Sequence, residues 1–190
     1  CFATAIQLAL LPLAKANLLN SSVHINATTG STGAGVSPSE TTHFSWRTNN
    51  VSIYKSFTHQ HLGEIKETID MVQGNCPEIN FVPMRGNFTR GILASVYTKT
   101  DLGIDELKDI YQSYYQDAAF TIVTDQDVDL KQVVNTNKCL ISVQKHEDKV
   151  HVTSVIDNLL KGAVGQAIEN MNLLLGFDQS AGLHFKPAYF

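Results

Sequence analysis

The sequence contains few cysteines, and their spacing fits neither a disulfide framework nor a zinc site. Only three occur among 190 residues, at Cys1, Cys76 and Cys139. Disulfide-rich secreted domains and structural zinc sites need more cysteines at closer spacing. We therefore predict free thiols, no metal centre and a reducing compartment, which favours a cytoplasmic location.

Basic clusters and membrane-spanning apolar runs are also missing. The 14 Lys and Arg residues are outnumbered by 18 Asp and Glu, so the net charge is −4. This charge balance argues against a nucleic-acid partner. The apolar stretch 5–14 is too short to span a bilayer and lacks the basic leader of a signal peptide. We predict a buried helix there and no membrane partner.

Phosphate-binding motifs are absent as well. The glycine-rich residues 29–35 lack both the G-K-[ST] ending and the G-x-G-x-x-G spacing of nucleotide-binding loops. They form either a flexible connector or a loop whose backbone lies close to a ligand, which glycine permits. The chain also lacks the regular βα alternation of a doubly wound nucleotide fold.

The order of the predicted elements indicates an α+β fold. Strands come in adjacent pairs with helices between them, which favours a mixed, mainly antiparallel sheet covered by helices on one side. The predicted elements are a helix over 4–16, a strand over 22–27, an irregular segment over 41–54, a helix over 58–73, strands over 79–84 and 91–99, a helix over 104–116, a strand over 120–124, a hairpin of 139–145 and 150–156, and a helix over 157–175.

Two helices carry clear boundary signals. Thr58 is a plausible N-cap of one helix, and Gly74 ends it. Asp157 is a good N-cap for the last helix, in which Gly162 and Gly165 indicate close packing against a ligand or another backbone. We predict that one apolar stripe of this helix faces the core: Leu160, Val164, Ala167, Ile168, Met171 and Leu175.

Cys1 is the first candidate for chemistry. It directly precedes the opening helix, whose free N–H groups and dipole favour a thiolate. A thiolate is a nucleophile at neutral pH. The alternative is a small buried apolar residue, the commonest role of a lone cysteine.

The second candidate is a histidine–carboxylate group. His61 and Glu64 are three residues apart on one helical face, so the carboxylate can fix the imidazole tautomer and leave the other nitrogen as a base. His59 completes a His-x-His, a common metal fragment, but no further ligands lie at useful spacing. A solvated helix start is the other interpretation.

Arg90 stands at the entrance to the strand over 91–99. Its planar fork suits a carboxylate or a phosphate. An ordinary surface arginine is the alternative.

Five short motifs appear in an order typical of one family. Together they resemble the catalytic part of N-acetyl-gamma-glutamyl-phosphate reductases, in the semialdehyde dehydrogenase superfamily, and the resemblance extends over about residues 1–183. The family usually has Pro at Ala3 and Gly63 and a basic residue at Val36, but none of these departures removes a reacting group. The motifs are Cys-Phe-Ala-Thr-Ala at 1–5, Ser-Thr-Gly-Ala-Gly at 31–35, His-Gln-His-Leu-Gly-Glu-Ile at 59–65, Arg-Gly-Ile-Leu-Ala at 90–94 and Asp-Asn-Leu-Leu-Lys-Gly-Ala-Val-Gly-Gln-Ala at 157–167.

The resemblance implies a domain organisation. Residues 1–183 are expected to form a catalytic and dimerisation domain like the C-terminal domain of glyceraldehyde-3-phosphate and semialdehyde dehydrogenases, with a tail at 184–190. The family carries an NADP-binding Rossmann domain ahead of the cysteine, and the helices at 1–16 and 157–175 are expected to pack against it. The chain does not start with Met, so we expect a fragment that is inactive alone. The expected assembly is a homodimer or homotetramer.

The resemblance also implies a reaction: NADPH-dependent reductive dephosphorylation of N-acetyl-gamma-glutamyl phosphate to the semialdehyde, a step of arginine biosynthesis. Cys1 attacks the acyl phosphate, and His61, held by Glu64, is the general acid–base. His59 supports His61, or is the base itself if the helix starts later.

Three further site residues are assigned. Arg90 is our own assignment to the substrate carboxylate or phosphate, and the next two residues follow from the resemblance. Asn158 is assigned to the nicotinamide carboxamide, and Gly162 lets the cofactor lie close. The alternatives are an aspartate-semialdehyde dehydrogenase-like enzyme and a non-catalytic oligomerisation module.

Overall fold

The computed structural model describes residues 1–187 and contains every helix and strand predicted from the sequence. The α-helices are α1 (Phe2–Lys15), α2 (Phe44–Arg47), α3 (His61–Gln73), α4 (Ile104–Tyr115) and α5 (Gly165–Leu175). The strands are β1 (Val23–Thr29), β2 (Ser52–Ile53), β3 (Ile79–Arg85), β4 (Ile92–Lys99), β5 (Thr121–Thr124), β6 (Cys139–His146) and β7 (Lys149–Ile156). A π-helical turn, Leu160–Val164, lies directly before α5 and is called the π turn below.

The strands form one sheet in the order β2-β3-β1-β4-β7-β6-β5. The pairs β1–β3 and β5–β6 are parallel, and the other neighbouring pairs are antiparallel. The predicted mixed, mainly antiparallel sheet is therefore confirmed. Because β1 and β3 run in the same direction with Thr29 opposite Arg85, the segments that follow them start from the same edge of the sheet.

Helix α1 is the centre of the core. It packs on the sheet together with α3 and α4, and most of its apolar side chains are fully buried. Pro12 lies inside this helix and has no N–H, so the carbonyl of Leu8 loses its usual helical donor. The phenol of Tyr115 on α4 donates to that carbonyl at 2.6 Å. The contact satisfies the carbonyl and ties α4 to α1.

The opposite face of the sheet carries side chains that are mostly partly exposed. Its central row contains His24, Tyr97 and His151, which are paired across β1, β4 and β7. The rings of His24 and Tyr97 stack with centroids 5.0 Å apart, and Ser95 shares a 2.8 Å hydrogen bond with His151. We call this surface the open face.

The predicted start of α3 is wrong. The helix begins at His61 with Gln60 as its N-cap, whereas Thr58 lies before it. Lys55 and Phe57 have positive φ angles of 48° and 59°, and the N–H of Thr58 donates to the carbonyl of Lys55. The chain makes a tight turn at these residues and cannot be helical until that turn is complete.

The predicted core stripe of the last helix is also wrong. Val164, Met171 and Leu175 are 52%, 48% and 63% exposed. The buried residues of α5 include Glu169 and Asn172 instead. Their side chains hydrogen-bond to the segment after α5, so the polar side of the helix faces the protein and its apolar side faces outwards.

No helix within residues 1–187 is long and apolar enough to cross a membrane. Residues 176–187, which include the start of the predicted tail at 184–190, form turns without a helix or strand. The last three residues of that tail, 188–190, lie outside the described residues.

Candidate active site

The largest concentration of predicted site residues lines one cavity of about 610 Å³. It lies between the first residue of α1, the glycine-rich segment 29–35, the turn before α3, the end of β3 and the π turn. Cys1, His59, His61, Asn158 and Gly162 all line it. The structure thus brings together five of the seven residues predicted from the sequence.

Cys1 is the N-cap of α1. Its carbonyl accepts the first hydrogen bond of the helix from Ala5, at 3.2 Å, and the first turn contains no acidic residue. The thiol is free and the residue is partly exposed to the cavity. The N–H groups of the first turn have no partner within the helix and stabilise negative charge beside the sulfur.

The other two cysteines have different surroundings. Cys139 is fully buried 3.4 Å from the hydroxyl of Ser154, and burial raises the pKa of its thiol to about 11. Burial also raises the pKa of Cys76, to which the charge of Asp70 adds. Both effects keep these sulfurs protonated at neutral pH, so neither competes with Cys1 as a nucleophile.

The two histidines lie side by side against Phe2. Their ring centroids are 4.7 Å apart, and the ring of Phe2 contacts both edge-on. The Nδ1 atom of His59 accepts the backbone N–H of His61 at 3.2 Å, so the proton of a neutral His59 is on Nε2. His61 makes no side-chain hydrogen bond within the described residues, and its Nδ1 is buried. Burial lowers the pKa of each imidazole to about 4.

Glu64 does not hold His61 in this structure. Its carboxylate is exposed and makes no hydrogen bond to either histidine within residues 1–187. Glu64 lines a separate cavity with Gln7 and Lys161, and the side chain of Gln7 donates to its backbone carbonyl. A shared helical face therefore does not bring these side chains into contact, and a catalytic role for Glu64 stays a prediction.

Arg90 is already paired with a protein carboxylate. Its guanidinium lies 3.0 Å from the carboxylate of Asp157, which is fully buried, and donates to Asn135 at 2.7 Å. Asp157 also caps the backbone N–H groups of Leu159 and Leu160. Arg90 does not line the cavity. Within the described residues it serves to hold the start of the π turn, and binding of substrate by it stays a prediction.

Asn158 and Gly162 are held tightly by the protein itself. The amide oxygen of Asn158 accepts the N–H of Gly91 at 2.7 Å, and its nitrogen donates to Thr32 in the glycine-rich segment at 3.0 Å. A Cβ placed on Gly162 would lie 2.8 Å from the Cβ of Cys1. Gly162 is therefore needed for contact with Cys1.

Sequence reasoning missed the cations of this cavity. Lys55 and Arg85 line it, and no Asp or Glu does. The guanidinium of Arg85 lies over the ring of Tyr54, its Nε is buried without a partner, and no carboxylate pairs with it in the described structure. The sequence feature that could have identified Arg85 is its position at the end of a predicted strand. Recognising it required the parallel pairing of β3 with β1, which the sequence did not reveal.

Metal ligation has no basis in this arrangement. Within residues 1–187, no group of three or more His, Cys, Asp or Glu side chains is placed to hold a metal ion.

Comparison with known sequences identifies relatives. A family described as "Semialdehyde dehydrogenase, dimerisation domain" matches residues 1–158. N-acetyl-gamma-glutamyl-phosphate reductase of Parabacteroides distasonis is 59% identical over 191 residues, covering 100% of this chain and 59% of that protein. The enzyme of that name from Azobacteroides pseudotrichonymphae is 57% identical over 190 residues with the same coverage. The chain thus spans about three fifths of the length of these relatives.

Solved structures show the same fold. Aspartate semialdehyde dehydrogenase II from Vibrio cholerae superposes with a TM-score of 0.68 at 14% identity, over 90% of this chain and 59% of that one. A probable aspartate-semialdehyde dehydrogenase from Pseudomonas aeruginosa gives a TM-score of 0.70 at 13% identity, over 92% and 60%. The fold predicted from the sequence is confirmed.

Proposed function

The chain belongs to the semialdehyde dehydrogenase family, whose dimerisation domain it carries, and from this membership we propose that it is the catalytic part of an N-acetyl-gamma-glutamyl-phosphate reductase. The reaction would be the NADPH-dependent reductive dephosphorylation of N-acetyl-gamma-glutamyl phosphate to the semialdehyde, in arginine biosynthesis. One observation carries the proposal. A cysteine at a helix N-terminus and two neutral histidines line a cavity whose charged side chains are cations.

Cys1 is the proposed nucleophile. Its sulfur attacks the acyl carbon, the bond from that carbon to the phosphate oxygen breaks, and inorganic phosphate leaves with the bonding electrons. The acyl group remains on the sulfur as a thioester. Free N–H groups of the first turn of α1 stabilise the thiolate before the attack.

His61 is the proposed general acid–base. Neither of its ring nitrogens is bound to a protein side chain in the described structure, so Nε2 can exchange a proton with a group in the cavity. Because burial lowers the pKa of this imidazole to about 4, it is a neutral base at physiological pH. Although α3 starts later than predicted, we assign His59 the supporting role, because its Nδ1 is occupied by the N–H of His61.

Arg85 and Lys55 are proposed to bind the anionic groups of the substrate. The substrate carries a phosphate at one end and a carboxylate at the other, and a guanidinium suits either group. Arg85 has no competing carboxylate in the described structure, and its guanidinium packs against the ring of Tyr54. These residues replace Arg90 in the proposed substrate site.

NADPH supplies, when bound, the hydride that reduces the acyl group to an aldehyde. Asn158 fits a contact with the cofactor, because its nitrogen carries two hydrogens and donates only one, to Thr32. Asn158 and Gly162 both line the cavity, on the same side as Cys1. The larger part of the cofactor surface is proposed to belong to a nucleotide-binding domain outside this sequence, so residues 1–190 alone are expected to be inactive.

Helix α5 is the proposed contact for that domain. Its exposed apolar residues form a hydrophobic patch, and such patches often mark contact surfaces. Met171, Leu173, Leu174 and Leu175 are between 48% and 86% exposed. Helix α1, the other predicted contact, has its apolar side chains buried in the core of this domain, so a contact there would use its exposed residues or its N-terminus. The predicted contact at 157–175 is represented by α5.

A second copy of the protein is the proposed partner for the open face. In the described structure, α1, α3 and α4 pack on the other side of the sheet, and the family takes its description from dimerisation. A homodimer would bury the row of His24, Tyr97 and His151, and a homotetramer would need a further surface. The proposed location of the enzyme is the cytoplasm, as expected for a chain with three free thiols.

A substrate comparison tests the proposed activity. The full-length protein is assayed in the reverse direction for phosphate-dependent NADP reduction with N-acetylglutamate semialdehyde or aspartate semialdehyde. Preference for the acetylated substrate supports the proposal. Preference for aspartate semialdehyde would support the proposed mechanism and reject the proposed substrate. No turnover with either substrate would contradict the assignment as an enzyme.

A further inference from the structure

A buried charged cluster joins the π turn to α5. The carboxylate of Glu169, which is 8% exposed, accepts hydrogen bonds from Lys161 at 2.6 Å, Asn137 at 3.0 Å and Gln179 at 2.7 Å. Removing both charges of an ion pair from water is unfavourable, and apolar residues of similar size are often at least as stable. Stability alone therefore does not account for this pair.

The lysine of the cluster belongs to the π turn. The N–H of Gly162 donates to the carbonyl of Asp157, five residues earlier, at 2.9 Å. Single π turns are rare in proteins, and those that occur are often found at functional sites. Here the wider turn carries Gly162 so close to Cys1 that an added Cβ would lie 2.8 Å from the Cβ of Cys1 and 3.1 Å from its Cα.

Two buried carboxylates hold the first half of the π turn. Asp157, paired with Arg90, caps the N–H groups at the start. Glu169 binds Lys161 from the far side. Lys161 does not line the Cys1 cavity, so it does not reach the substrate itself.

Asn137 locks the end of the turn. Its nitrogen donates to Glu169, while its oxygen is buried without a hydrogen-bond partner in the described structure. A Cβ on Gly165 would collide with that oxygen. The first residue of α5 is thus packed directly against the cluster.

We propose that Glu169 is a positioning residue for Cys1. Its carboxylate holds Lys161, Lys161 holds the π turn, and Gly162 in that turn fixes the backbone of Cys1 and the direction of its sulfur. The proposal rests on the proposed function of Cys1 as the nucleophile. A displacement of about 1 Å at a nucleophile lowers the rate by up to about 100-fold, which gives the cluster a reason to be rigid.

The test uses the full-length protein with Glu169→Gln and the double variant Lys161→Met/Glu169→Leu. The first leaves the lysine without its anion, and the second removes both charges and is expected to fold even if the first does not. The matched control is Glu67→Gln, which changes an exposed carboxylate of α3. The measurements are kcat, KM and the rate of Cys1 alkylation by iodoacetamide as a function of pH.

Both cluster variants are expected to lower kcat by about tenfold or more with KM changed less than about twofold, and to slow Cys1 alkylation. Glu67→Gln is expected to match the wild type. Folded cluster variants with wild-type kcat and wild-type alkylation profiles would overturn the proposal. Alkylation needs no substrate, so it tests the positioning role separately from the activity. If the wild type is inactive on the acyl phosphate and the cluster variants still slow alkylation of Cys1, the proposed function is rejected and the positioning role is kept.

Discussion

The guanidinium of Arg85 lies over the ring of Tyr54, with its central carbon 4.5 Å from the ring centroid. Burial raises the pKa of the Tyr54 phenol, and the charge of Arg85 opposes this effect. Arg90, on the next strand entrance, instead lies 3.0 Å from a buried carboxylate. Two arginines five residues apart therefore have different roles, one facing the cavity and one holding the fold.

Replacement of Arg85 should weaken substrate binding. In Arg85→Met, the cavity loses a cation that no protein carboxylate neutralises in the described structure, so we expect KM for the acyl phosphate to rise by about tenfold or more. The melting temperature should change little. Steady-state kinetics of the full-length enzyme measure this, and an unchanged KM would remove Arg85 from the substrate site.

Replacement of Arg90 should act on stability instead. Arg90→Met leaves Asp157 buried without its cation, and breaking such a pair costs about 3 kcal/mol or more of the free energy of unfolding. Urea unfolding of the full-length protein measures the loss. A variant as stable as the wild type with a KM raised as in Arg85→Met would return Arg90 to the substrate site.

The three cysteines should react in a fixed order. Cys1 is partly exposed at a helix N-terminus, whereas burial raises the pKa of Cys76, and that of Cys139 to about 11. Iodoacetamide at about pH 6.5, followed by peptide mass spectrometry, should label Cys1 well before the other two. Equal labelling of all three would refute an activated thiol.

The histidine pair should make stability depend on pH. Burial is the largest cause that lowers the pKa of His59 and His61, to about 4 in this chain, where the charges of Lys55 and of the amino group of Cys1 also contribute. The unfolded value is about 6.5. Between these values the unfolded chain binds more protons, so the free energy of unfolding decreases as the pH falls from about 6.5 to about 4. Urea unfolding at pH 7 and pH 5 measures the difference.

The matched variants are His59→Asn, which removes one titrating group, and His146→Asn, which changes an exposed histidine. Only the first should reduce the loss of stability between pH 7 and pH 5. An identical loss in the wild type and His59→Asn would show that folding does not lower the pKa of His59.

The sequence was a good guide to the elements of the fold. Apolar periodicity and stop signals such as Gly74 are local, and the helices and strands followed them closely. The last helix shows the limit of this reasoning. Its apolar stripe was visible, but a pattern cannot distinguish a core from a surface for another domain, so Glu169 and Asn172 were the buried residues.

The site was harder to predict because its contacts are distant along the chain. Cys1, His61 and Asn158 were recognised by motif, and the structure brings them to one cavity. Arg90 was assigned to the substrate because nothing local reveals that its guanidinium already pairs with Asp157, 67 residues later. Arg85 was not considered. Spacing alone also placed Glu64 on His61, although the two side chains line different cavities and share no hydrogen bond in the described structure.

Disruption of the open face should separate the proposed dimer. Tyr97→Glu introduces a charge in the central row, which is unfavourable if a second copy covers it. We expect the sedimentation coefficient of the full-length protein to fall from that of a dimer to that of a monomer, or from that of a tetramer to that of a dimer. The control Glu67→Lys on α3 should leave the sedimentation coefficient unchanged. An unchanged assembly in Tyr97→Glu would place the dimer contact elsewhere.

The central claim is that the Cys1 sulfur carries the acyl group. The most direct measurement is phosphate-dependent NADP reduction by the full-length enzyme with N-acetylglutamate semialdehyde, comparing the wild type with Cys1→Ser, His61→Asn and Cys76→Ser. We expect Cys1→Ser to lose all measurable turnover, His61→Asn to be slower by about 100-fold, and Cys76→Ser to match the wild type. Turnover of Cys1→Ser within tenfold of the wild type would contradict the account.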